Sequence, residues 1–143
     1  MTSRQIRFAL PVVLALLIVL PSCEKKTVVG APGPYPITLA YNNGQCTQNG
    51  STGVLDVDDN WTVTYEGPSA TTPFNVGFSS CPYATGKCPV SSPQGGSQNV
   101  GTPSGANANT TYYYSTVTIN NQTCNNGPGT FGVHIKPGTM GPK

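Results

Sequence analysis

An all-β fold, arranged as a single antiparallel β-sandwich of about seven short strands, is the architecture this sequence predicts. Three observations carry it. Outside residues 8–20, no segment repeats apolar residues at helical spacing. Short stretches alternate apolar and polar residues with a period of two, which is the signature of a half-buried strand. The chain also holds 17 glycines and 14 prolines, enough to interrupt it repeatedly with turns.

The strands are read in order. Residues 36–41 place Ile37, Leu39 and Tyr41 on one face, and Asn42-Asn43-Gly44 ends them in a turn. Residues 53–57 form a second candidate. Asp58-Asp59-Asn60 then turns the chain into residues 61–65, with Trp61, Val63 and Tyr65 inward and the threonines outward. Residues 73–78 repeat the pattern with Phe74, Val76 and Phe78. Residues 79–109 are rich in Gly, Pro, Ser and Asn. A structureless loop of that length is unusual in a compact domain, so a short edge strand is expected near residues 98–101. Residues 110–120 are dominated by β-branched and aromatic side chains and form the strongest strand. There the alternation puts Tyr113 inward with Val117 and Ile119, and Tyr112 and Tyr114 outward. Residues 130–135 close the domain with Phe131, Val133 and Ile135 on one face.

The first residues carry a different message. Arg4 and Arg7 precede an unbroken apolar run over residues 8–20, the layout of a secretory signal. At about 1.5 Å per residue that run reaches about 20 Å, short of the roughly 30 Å hydrocarbon core of a bilayer. It ends in Leu20-Pro21-Ser22-Cys23, which resembles the bacterial lipobox. The resemblance implies cleavage before Cys23, lipid on its thiol, and a place in the bacterial cell envelope facing periplasm or exterior. Membrane lipid is then the first expected partner, with Lys25 and Lys26 beside it. The expected organisation is a signal peptide over residues 1–22, a lipidated tether over 23–34, and the sandwich over 35–143.

Removing residues 1–22 takes two of the seven basic residues and leaves five lysines against five acids. The formal charge of +2 therefore belongs to the signal, and the mature domain is neutral. No basic patch remains to attract nucleic acid. Charged residues make up only 8% of the chain, and polarity comes from Thr, Ser, Asn and Gln.

The five cysteines are an odd number, which calls for an explanation in an exported protein. Lipidation of Cys23 leaves Cys46, Cys81, Cys88 and Cys124. Cys81 and Cys88 would close a compact loop, and Cys46 and Cys124 would then pair over a long range. Four thiols allow three connectivities, and all three stay open.

The other candidates are sparse. Asp56, Asp58 and Asp59 supply hard oxygen donors that could hold Ca²⁺, against the simpler reading of a polar turn. Tyr112 and Tyr114 are the candidate binding residues, since exposed rings can stack on sugars. His134 lies opposite Val133 and Ile135 and is expected on an outer face.

A tryptophan strand, a Pro-Phe strand, a Tyr-rich strand and a final Gly-Val-His-Ile strand together resemble small bacterial exported domains with a cupredoxin-like or immunoglobulin-like sandwich. A blue-copper centre needs two histidines and a cysteine thiolate. This chain has one histidine, so no copper and no other cofactor is expected. The expected role is non-catalytic, with a protein or glycan partner. The alternatives are a Ca²⁺, small-ligand or carbohydrate-binding lipoprotein, and a hydrolase with an unrecognised site.

Overall fold

The computed structural model describes residues 34–104 and 108–138. The signal peptide, Cys23, Lys25 and Lys26 lie outside these residues. Of the expected tether only Pro34 falls inside, where it opens the first strand.

Every regular element among the described residues is a strand. They are β1 Pro34–Asn42, β2 Gln45–Gln48, β3 Val54–Asp58, β4 Thr62–Glu66, β5 Phe74–Phe78, β6 Val90–Ser92, β7 Ser97–Gly101, β8 Thr110–Ile119, β9 Gln122–Thr123 and β10 Gly132–Lys136. One sheet has the order β2-β1-β4-β7. The other has the order β3-β10-β8-β5-β6, with β9 added against the end of β8.

The inward faces follow the alternation over most of the chain. Ile37, Leu39, Val57, Val63, Tyr65, Phe74, Val76, Val133 and Ile135 are buried between the sheets. Each large aliphatic or aromatic side chain removed from water in this way contributes about 1.5–3 kcal/mol before entropy is counted. The turn after β1 uses Asn43 at φ 48° and Gly44 at φ 88°, both left-handed, as a two-residue hairpin requires.

The sheets are mixed, which corrects the purely antiparallel expectation. β1 runs parallel to β4, with Pro34 opposite Thr62 and Thr38 opposite Glu66. β3 runs parallel to β10, with Val54 opposite Gly132 and Asp58 opposite Lys136. Parallel neighbours need a crossover between them. Here β2 and β3 supply it, passing from the first sheet to the second before β4 returns beside β1. Alternation tells which side of a strand is apolar but carries no record of its neighbour or direction. That is why the parallel pairs were invisible in the sequence.

Three strands were also not expected. β2, β6 and β9 are short, and β2 buries Cys46 and Gln48, residues that no apolar alternation marks out. The edge strand expected near residues 98–101 is β7. The four cysteines pair as Cys46–Cys124 and Cys81–Cys88, with Cα separations of 5.4 and 6.0 Å. The first bond ties β2 to the loop before β10. Asn126 strengthens the same junction, accepting from the Cys46 N–H at 2.8 Å and donating to the Cys46 carbonyl at 2.9 Å.

Candidate functional site

The tyrosine run of β8 is placed oppositely to its expected orientation. Tyr112 and Tyr114 are each only 8% exposed, whereas Tyr113 is 38% exposed. The cause is a β-bulge. Gly77 of β5 lies opposite Thr116, but the next residue, Phe78, lies opposite Tyr114. Ser115 is the extra residue, and Ser115 and Thr116 both face outward. One inserted residue reverses the face of everything before it. Gly77 accommodates the bulge, since a Cβ there would come within 2.9 Å of the Ser115 hydroxyl. Tyr112 and Tyr114 therefore belong to the core and present no exposed stacking face.

Tyr114 instead enters a buried polar chain. Its hydroxyl donates to Gln48 Oε1 at 2.6 Å, and it lies 3.1 Å from the Tyr65 hydroxyl. Tyr65 in turn lies 3.1 Å from the Tyr83 hydroxyl. The direction of donation follows from one proton per phenol. Tyr114 gives its proton to the amide oxygen, so Tyr65 donates to Tyr114, and Tyr83 donates to Tyr65. Gln48 passes the chain on through Nε2 to the carbonyls of Gly53, at 2.8 Å, and Gly132. Burial pushes the Tyr65, Tyr83 and Tyr114 phenols well above their usual range. Phe78 and Phe131 pack edge-on against Tyr114, with centroids 4.9 and 5.0 Å away. The ensemble joins the two sheets, and a cavity of about 40 Å³ borders it at Tyr114 and Phe131.

Two of the acidic residues, Asp56 and Asp59, have partners of their own. Asp56 forms an ion pair with Lys136, and hydrogen bonding to that carboxylate holds the lysine's pKa above its usual value. Asp59 Oδ1 accepts from the Gly138 N–H at 2.7 Å. Asp58 shares the outer face of β3 with Asp56, and its carbonyl accepts from the Trp61 N–H at 3.1 Å, closing the expected turn. Among the described residues no group of three or more His, Cys, Asp or Glu side chains is gathered to hold a metal ion. The calcium expectation at Asp56, Asp58 and Asp59 does not fit this geometry, because two of the carboxylates already answer a lysine and a backbone amide.

His134 sits half-buried on the outer face of β10, in register with Asp56 and Thr111. Its Nδ1 lies 3.0 Å from Thr111 Oγ1. The copper donor set does not fit either, since both disulfides consume the described thiols and His134 is the single imidazole. Trp61, expected inward, is half-buried at the start of β4 and stacks on Tyr35 with centroids 4.5 Å apart.

Among the described residues, two concave features stand apart from the core, one of about 230 Å³ beside Glu66, Ser69 and Ser97 and a second on the other sheet. A groove of about 300 Å³ opens on the outer face of β6, β5 and β8. Its floor is a cross-strand row in which Ser91 lies opposite Asn75, and Asn75 opposite Thr118. Pro73, Pro93 and Asn121 complete the wall. The three floor residues alternate with buried neighbours on their strands, which made Asn75 and Thr118 legible as outward, while Ser91 sits on a strand the alternation does not mark. Their alignment into one row depends on register, which only pairing reveals. Compared with known protein families, curated proteins and solved structures, the chain matches none of them.

Proposed function

We propose that this chain is an exported bacterial lipoprotein whose β-sandwich acts by binding rather than by catalysis. Its signal peptide, residues 1–22, is removed and Cys23 carries the lipid. The observation that carries this reading is the thiol inventory. Cys46–Cys124 and Cys81–Cys88 use four of the five cysteines and leave Cys23 over. Two disulfides in a small domain suit an oxidising compartment. An odd thiol in such a compartment is explained by acylation, and the Leu20-Pro21-Ser22-Cys23 sequence is the substrate that acylation needs.

The finer fold reading is a copper-free cupredoxin-like sandwich. The parallel β1–β4 and β3–β10 pairs depart from the antiparallel sheets of an immunoglobulin-like domain and favour this alternative. The binding role is supported by the engagement of two of the described acids and the histidine: Asp56 with Lys136, Asp59 with Gly138, and His134 with Thr111.

Mass spectrometry of the mature N-terminus tests the anchor. The expected product is a diacylated, N-acylated peptide beginning at Cys23, and Cys23→Ser moves the protein out of the membrane fraction. An unmodified peptide beginning at or after Cys23 removes the reading.

A further inference from the structure

We infer that the groove on the outer face of β6, β5 and β8 binds an uncharged oligosaccharide. The inference rests on reading the domain as a binding module, and it names the ligand class.

The groove is lined without a single charged side chain: Pro73, Phe74, Asn75, Ser91, Pro93, Thr118 and Asn121 form it. A neutral lining offers no countercharge to a phosphate, a carboxylate or a basic peptide, so the desolvation of their charge would be poorly compensated. It does offer amide and hydroxyl groups, the partners that sugar hydroxyls use. Among the described residues, the side chains of Asn75, Thr118 and Asn121 find no hydrogen-bond partner. This separates them from Asn49, Asn99 and Asn126, whose amides are all tied to backbone groups. Asn75 and Thr118 are also half-buried, so their polar atoms face a confined space rather than open solvent.

The row geometry suits a chain of repeating units. Ser91, Asn75 and Thr118 stand on adjacent strands at about 4.8 Å intervals, on one line and one face. Pro73 and Pro93 add apolar rings at the wall. A pyranose has this same division, with an apolar ring face and polar edges.

Calorimetric titration of the full chain in detergent, using maltohexaose, cellohexaose and chitohexaose as probes, tests the inference. A hexagalacturonate and an uncharged Gly/Ser/Asn hexapeptide serve as controls. One neutral sugar series is expected to bind, and the charged sugar is not. Losing one hydrogen bond of about 1 kcal/mol weakens binding about fivefold, so Asn75→Ala and Thr118→Val should each do this. Asn121→Gly should do the same, because glycine keeps the left-handed turn at φ 61° while removing the amide. Melting temperatures of the three variants should match the parent, and Asn121→Gly remains informative if Asn75→Ala does not fold. Absence of binding to all three neutral series overturns the inference. So does equal binding of the charged sugar, or affinity unchanged in the variants. Tighter binding of the hexapeptide would replace the sugar with a protein partner. Lipid on Cys23 is read separately by mass spectrometry, so a lipidated chain blind to sugars removes only the groove's ligand.

Discussion

The Tyr114 hydroxyl donates to Gln48 Oε1 at 2.6 Å, across 66 positions of sequence, and joins β8 of one sheet to β2 of the other. Gln48 is fully buried. Every polar atom of its amide is used: the oxygen by Tyr114, and the nitrogen by the carbonyls of Gly53 and Gly132. A buried polar group contributes to a unique core only when it is fully paired in this way, and its neighbours are exposed to large penalties when it is removed.

Gln48→Leu is therefore expected to destabilise the domain by about 2–4 kcal/mol, because it orphans a phenol and two carbonyls inside the core. Tyr114→Phe should cost about 1–2 kcal/mol by itself. In a double-mutant cycle followed by chemical denaturation, the double variant should lose less than the two single losses combined. Strict additivity would show that the two side chains do not act together.

The same network sets a response to alkaline pH. Burial raises the phenols of Tyr65, Tyr83 and Tyr114 above their unfolded value. The folded state keeps these protons where the unfolded state releases them. Stability from this source is complete below about pH 10 and falls as pH rises above it. Ultraviolet titration of phenolate should show these three tyrosines ionising only with unfolding. Ionisation of Tyr65, Tyr83 and Tyr114 near pH 10 in a folded protein would contradict the network.

The two disulfides should differ in worth. Cys46–Cys124 spans 78 positions and Cys81–Cys88 spans 7. Loop-closure entropy assigns about 4.5 kcal/mol to the first and about 2.5 kcal/mol to the second. Paired alanine substitutions, Cys46→Ala with Cys124→Ala and Cys81→Ala with Cys88→Ala, compared by denaturation, should rank in that order. Asn126 adds to the first junction, so the reverse order would be hard to reconcile with the structure.

Gly132 is required by close approach rather than by its dihedral angles. A Cβ there would lie 2.3 Å from the Tyr112 carbonyl oxygen, a backbone atom that cannot swing aside. Gly132→Ala should therefore separate β10 from β8 and cost about 2 kcal/mol or more. Thermal unfolding measures this directly, and a melting temperature equal to the parent's would show that the strands can part freely.

Much of this fold was legible in residue order. Ile37 and Leu39, Val63 and Tyr65, Phe74 and Val76, and Val133 and Ile135 are each buried as alternation requires. The turns at Asn43-Gly44 and Asn120-Asn121 announce themselves because few residues other than glycine and asparagine tolerate left-handed angles. The tyrosine run misleads because Ser115 is a bulge. A bulge is created by the mismatch between two strands, and residues 110–119 read alone contain no sign of one.

By itself, then, the sequence determined the all-β class, most of the inward faces away from the bulge, the main turns and the scarcity of charge. Each of these depends on neighbours along the chain. The tertiary structure decided the rest: the parallel pairs, which thiols meet, the face of Tyr112 and Tyr114, and the alignment of Ser91, Asn75 and Thr118 into a groove. These depend on register between strands far apart in sequence, and register is set only when the two sheets close on a common core.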